Sequence, residues 1–246
     1  VTTDPLAALL DLSDVADSLA AARDRVDATM RHRALRRSGG PVAAEVGLAD
    51  AVASAALEGH GYDLDEVRAG LVTDPVLQGA LRVSRDLDRL VTVWRSAPRQ
   101  ALATLHLLAA RGVVADGEVG RPRRDPTVAA RLDALAGVLT GGSTAPALLV
   151  AAVVHGELLA LRAFPGPNGV VARAAARLAL LDRGLDPRGL LPLSVGHRER
   201  EPEYIGAAGA FATGTADGLR SWIRHCASAA LEAADRATAI ADAVVA

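Results

Sequence analysis

The chain has 246 residues, enough for one large or two small domains with a sizeable core. Half of the residues are hydrophobic but only 2% are aromatic, so the core must be made mainly of Ala, Leu and Val, which favour packed helices over sheets. The formal charge of −2, with signs interspersed, argues against a nucleic-acid tail or membrane patch; the lone Cys226 rules out an intramolecular disulfide and a cysteine metal cage, and the absence of Lys rules out a lysine nucleophile.

The N-terminus carries acids early and lacks a basic leader region. No apolar run approaches the roughly 18 to 20 residues of a membrane span, so a cytoplasmic protein is expected, with neither nucleic acid nor membrane as partner. Asp4-Pro5 predicts a cap and first turn of a helix running to about residue 23. "RRSGGP" breaks the chain at 36–41, and a helix then runs to Gly59. Asp63 and Glu66 form a capping-box pattern. Asp74-Pro75 opens a long helix through Trp94, and "SAP" at 96–98 opens another, closed by Gly112.

Residues 113–125 contain Asp-Gly between two short extended pieces, which predicts a β-hairpin. Asp125-Pro126 starts a helix to about residue 140, and 144–161 reads as an apolar helix. A helix follows from Asn168 to Arg183, then a loop-rich stretch, then helices over about 201–212 and 215–243. The expected fold class is all-α with one small hairpin.

Between the two apolar helices lies "LRAFPGPNGVVAR", residues 161–173. Free N–H groups and the dipole at the second helix's N-terminus make an anion site, and Arg173 lies where it can reach back to it. The plain alternative is a helix corner with Arg173 and Arg177 as solvated neighbours, and the segment alone favours that alternative.

The surroundings shift the balance. "HGELLALRAFPGPNGVVAR" resembles the H-x-F-x-[DE]-G-N-G-R-x-x-R signature of the Fic (fido) family, with Phe164, Asn168, Gly169 and Arg173 matching and His155 upstream. Ser54, Glu58 and Gly59 resemble that family's inhibitory [ST]-x-x-x-E-[GN] segment. "GEVGRPRRD" resembles its flap, and "EYIGAAGAFATGTADGLRSWIRH" its C-terminal part. The resemblance implies a Fic-like helical bundle with a hairpin flap. It divides into an N-terminal helical region with the inhibitory-like helix (1–95), a core (96–232) and the end of the last helix (233–246).

The resemblance also implies AMP transfer from ATP to a protein hydroxyl. The motif histidine would be the base, the acid would hold Mg²⁺, the Gly-Asn-Gly backbone and first arginine would hold phosphate, and the second arginine the γ-phosphate. The inhibitory glutamate would pair with that second arginine. Four positions depart: Arg162 replaces the base, Gly166 the acid, Pro167 a glycine and Val170 the first arginine. A guanidinium stays protonated near neutrality and cannot act as a base. Proline removes one N–H from the cradle.

The expected protein is thus a Fic-fold pseudoenzyme without a catalytic residue. Its anion or nucleotide seat would be formed by Arg162, Gly166, Asn168, Gly169 and Arg173 and closed by a Glu58–Arg173 clasp. ATP is the candidate ligand, and Mg²⁺ is doubtful. The alternative is an active transferase of AMP or a related phosphate group with altered chemistry; a third reading is a pure interaction module. Arg121, Arg123 and Arg124 on the flap are solvated charges or a protein-partner surface. The six histidines lack zinc spacing, so no metal site is expected, and His106, His155 and Trp222 read as packing residues.

Overall fold

A computed structural model describes residues 4–37 and 39–246, with the backbone alone at 37 and 39. A 3-10 turn at Ala7–Asp11 leads into α1 (Val15–Met30), α2 (Arg33–Arg37) and α3 (Gly39–Ala56). Next come α4 (Leu64–Arg68), α5 (Pro75–Asp86), a 3-10 turn at Asp88–Leu90, α6 (Val91–Ser96) and α7 (Pro98–Ala110). The chain continues through α8 (Pro126–Thr140), α9 (Ala147–Leu161), α10 (Asn168–Asp182), α11 (Leu193–Glu199), α12 (Glu201–Ala212) and α13 (Ala216–Val245). The fold is all-α.

Local chemistry explains most of these boundaries. The side chains of Asp63, Asp74 and Asp125 accept hydrogen bonds from backbone N–H groups in the first turns of α4, α5 and α8, and Pro75 and Pro126 occupy first helical positions. Gly112 has φ +84 just past α7, as a terminating glycine does. Asp4 behaves differently from expectation. Its carboxylate holds Leu6 N–H but also Ser143 Oγ and Thr144 N–H, so it ties the N-terminus to a distant loop. Only a 3-10 turn follows, and the α-helix starts at Val15. The long helix expected through Trp94 is interrupted by the 3-10 turn at Asp88–Leu90. The break expected at 36–41 is not seen at most of its positions: residues 36–37 belong to α2 and residues 39–41 to α3, while residue 38 lies outside the described residues.

The predicted hairpin does not form. Asp116-Gly117 does turn, with Glu118 N–H donating to Ala115 O at 2.8 Å, but no ladder flanks it. The β pairing here is one isolated bridge between Arg111 and Val114. The flanking backbone is used elsewhere: Arg123 N–H donates to Ala163 O at 2.8 Å, and Gly120 N–H donates to the His106 ring. The segment is a turn-rich strap bonded to the 162–168 loop and α7 rather than to itself.

The centre of the fold is the pair α9 and α10. α9 is apolar nearly all round, and α10 is buried at every position from Asn168 to Leu180. Along α13, Ala227, Ala230, Ala234 and Ala237 are buried and small, which lets neighbouring helices approach closely. α3 packs on α10 and α5. Two arginines of α10 therefore face α3 without access to water.

Candidate functional site

The site is where the end of α9, the 162–167 loop and the start of α10 meet the end of α3. Arg162 caps α9 in the left-handed conformation (φ 46, ψ 53), an unfavourable state for a residue with a Cβ. Arg123 stabilises it from the strap. Its Nε donates to Arg162 O at 2.8 Å and its Nη2 to Leu161 O at 2.9 Å, satisfying carbonyls at the helix end. Arg123 thus holds the loop, a role that the solvated-charge reading of the flap missed. Arg162's own residue surface is exposed.

Phe164 is buried and stacks on His106, with ring centroids 4.6 Å apart. His106 Nε2 lies 2.8 Å from Pro165 O and must donate to it, so Nδ1 is the acceptor for Gly120 N–H at 2.9 Å. This neutral tautomer pins loop to strap. Burial lowers the His106 pKa, although the Pro165 carbonyl favours the charged form. A single histidine on the buried face of α7 was the only sequence signal for this link.

Asn168 is the internal staple of the loop. Its Oδ1 accepts from Phe164 N–H at 3.0 Å and its Nδ2 donates to Phe164 O and to Gly166 O. Its backbone N–H is bonded to Gly166 O at 2.8 Å across Pro167. Pro167 has no N–H, so the donors left at the start of α10 are Gly169 and Val170, which have no acceptor among the described residues. Val170 is buried and lines a small void with Asp50 and Ala80, so the first-arginine position of the motif points into the core.

Gly166 has φ +74, and a Cβ there would stand 2.7 Å from Val114 Cγ1. Two separate features therefore oppose any side chain at this position: backbone conformation and the Val114 methyl.

Glu58 reaches the start of α10 from beyond α3. Gly59 (φ +89) closes that helix, with His60 N–H donating back to Ala55 O at 3.0 Å. The Glu58 carboxylate then lies over Gly169, where a Cβ would collide with Oε1. Arg173 Nη2 donates to Glu58 Oε1 at 2.9 Å and to Ser54 O at 2.8 Å. Its Nε donates to Ser54 Oγ at 2.9 Å and its Nη1 to the Tyr204 hydroxyl at 3.1 Å. Arg173 is 2% exposed, its partner Glu58 23%. One turn along α10, Arg177 Nη1 lies 2.8 Å from Asp50 Oδ2, and both side chains are 6% exposed. Asp50, Ser54 and Glu58 recur every four residues and meet Arg173 and Arg177, also four apart. The solvated-corner alternative is thus overturned for both arginines, and the Asp50 rung had no sequence signal beyond an acid on an apolar helix.

Beneath Arg173 lies a buried aromatic and histidine cluster. Since Tyr204 accepts from Arg173, its hydroxyl hydrogen goes to His155 Nε2, 3.0 Å away. His197 Nδ1 and His225 Nε2 are 3.0 Å apart, and Trp222 Nε1 donates to Ala152 O. Burial lowers the pKa of all three histidines, and for His155 the Arg173 cation adds to it; His225 falls to about 4. Burial also raises the Tyr204 and Cys226 pKa values. His155 is a neutral structural residue sealed behind Tyr204. Among the described residues no group of three or more His, Cys, Asp or Glu is placed to hold a metal, and no helix is long and apolar enough to cross a membrane.

No protein-family model and no curated protein matches this chain. Solved structures do. A Fic family protein from Desulfovibrio desulfuricans G20 aligns at TM-score 0.76 and 20% identity, over 97% of this chain and 76% of that one. Fic-1 from C. elegans aligns at TM-score 0.74 and 20% identity, over 94% and 73%. A second structure of Fic-1 aligns at TM-score 0.70 and 21% identity, over 96% and 74%. The chain has the Fic fold.

Proposed function

We propose that this chain is a Fic-fold pseudoenzyme: it does not transfer AMP, and it has an anion seat at the start of α10 under a glutamate lid. Position 166 carries this reading. The signature has a metal-binding acid there, but here the residue is glycine, and φ +74 and the Val114 methyl strain any side chain added at it. The residues present do not fit Mg²⁺. Arg162 stands at the base position with a guanidinium that cannot accept a proton near neutrality, and base catalysis is typically worth roughly 10²- to 10⁴-fold.

A transferase with altered chemistry would need another base. His106 already uses both ring nitrogens, and Tyr204 takes His155 Nε2. What remains suits binding: two free N–H groups at the start of a helix, with Arg173 alongside. The Glu58 carboxylate now sits against Arg173 and Gly169 and would have to leave before an anion could enter.

Calorimetric titration with ATP, with and without Mg²⁺, tests this on the wild type and on Glu58→Gly. The expected result is tighter ATP binding by Glu58→Gly than by wild type, unaffected by Mg²⁺. No binding by either protein would remove the anion seat, and Mg²⁺-dependent tightening would contradict the lost metal site.

A further inference from the structure

We propose that the cleft between α3, α5 and the loop before α11 is a second binding site, which takes a small organic anion with an apolar body. The cleft has a volume of about 850 Å³, within the range of small-molecule sites. Arg82, Arg85, Arg177 and Arg188 line it, against a single lining carboxylate, Asp88. This excess of cations is local, because acids outnumber bases over the whole chain.

The way Arg82 is held leaves its charge uncompensated. Arg82 donates to the carbonyls of Leu108 and Arg111, and Arg188 to that of Leu35. Neither forms a direct ion pair among the described residues, but the buried Asp186 carboxylate interacts with the Arg188 charge, which leaves Arg82 as the cation without an acid. Carbonyls satisfy a guanidinium's donors and fix its position but do not cancel its charge. The Arg82 pKa is lowered by burial and by the neighbouring Arg111 and Arg85 cations, the mark of positive charge that lacks a counterion. Arg177 and Arg85 do have acid partners, Asp50 and Asp86.

The rest of the wall is apolar. Leu48, Leu81, Leu181 and Leu190 come from α3, α5, α10 and the loop before α11 and offer a surface for a ring or short chain. A concave low-dielectric wall focuses the arginine field into the cleft, where a carboxylate, sulfonate or phosphate would make charge-assisted contacts. The site is separate from the Glu58–Arg173 contact; neither of those residues lines it.

The test uses the anionic probe 1-anilinonaphthalene-8-sulfonate and its uncharged relative N-phenyl-1-naphthylamine, both followed by fluorescence titration on the full chain. The cleft predicts saturable binding of the anion that salt weakens. Arg188→Gln combined with Arg82→Gln should raise its Kd about tenfold or more while leaving the neutral probe's Kd unchanged. Ala44→Trp, an exposed lining position where bulk does not disturb the core, should remove this binding for both probes with an unchanged melting curve. Absence of saturable anion binding, equal loss of both probes in the arginine variant, or full binding by a folded Ala44→Trp protein would each overturn the proposal.

Discussion

The start of α10 and its middle differ in what they match and how they are held. In the 162–170 stretch Arg162, Gly166, Pro167 and Val170 differ from the Fic signature, at positions to which the resemblance assigns contacts with ATP, metal or target. One turn further on, Asp50, Ser54 and Glu58 meet Arg173 and Arg177. The difference follows from burial. A group whose work is done on a substrate can be replaced without cost to the fold. A guanidinium that is 6% exposed, as Arg177 is, cannot lose its acid without leaving charge buried and unpaired. Phe164 and Asn168, which match the signature, are both structural: one fills the core, the other closes the turn.

That contrast can be broken most severely at Asp50. Asp50→Ala should cost about 3 to 5 kcal/mol, because it strands Arg177 and also removes the acceptor for Ser194 N–H. Chemical denaturation would measure it, and a loss below about 1 kcal/mol would mean that the rung carries little.

Gly166→Asp, which restores the signature acid, should destabilise by about 1 to 3 kcal/mol through its positive φ alone, before the Val114 contact is counted. An unchanged midpoint would show that the loop can rearrange to accept a side chain.

Glu58→Gln should cost only about 1 kcal/mol, since Glu58 is partly exposed and Arg173 keeps Ser54 and Tyr204 as partners. A loss as large as that of Asp50→Ala would make the two ends of the contact equivalent.

The same contrast can also be probed through pH. His106, His155, His197 and His225 all have pKa values lowered in the fold from an ordinary 6.5. The unfolded chain therefore takes up protons first as pH falls, so stability is full above about 6.5 and declines below it. For His225 the decline ends near its folded value of about 4. Each histidine still neutral adds at most about 1.4 kcal/mol per pH unit to the slope. A flat profile between pH 6.5 and 4 would contradict the neutral cluster.

Much of the helical framework was legible because caps act locally: Asp63, Asp74 and Asp125 each bond the turns that follow them. The ordered Fic-like marks pointed to the fold, and Ser54, Glu58 and Arg173 meet in space. The strap was misread because Asp-Gly specifies a turn but not whether the flanking residues pair. Here Val114 packs toward Gly166 and Arg123 bonds Ala163 instead. The Asp50 rung and the histidine cluster were not legible, since each joins residues from distant helices whose meeting depends on tertiary packing.

The central claim is that the loop no longer transfers AMP, whether or not the lid is in place. The direct measurement is incubation of wild type and Glu58→Gly with Mg²⁺ and ATP labelled at the α-phosphate, alone and with a cell extract, followed by counting protein-bound label. The account predicts none above background for either protein. Label on any protein that depends on the added chain, and rises with Glu58→Gly, would contradict it.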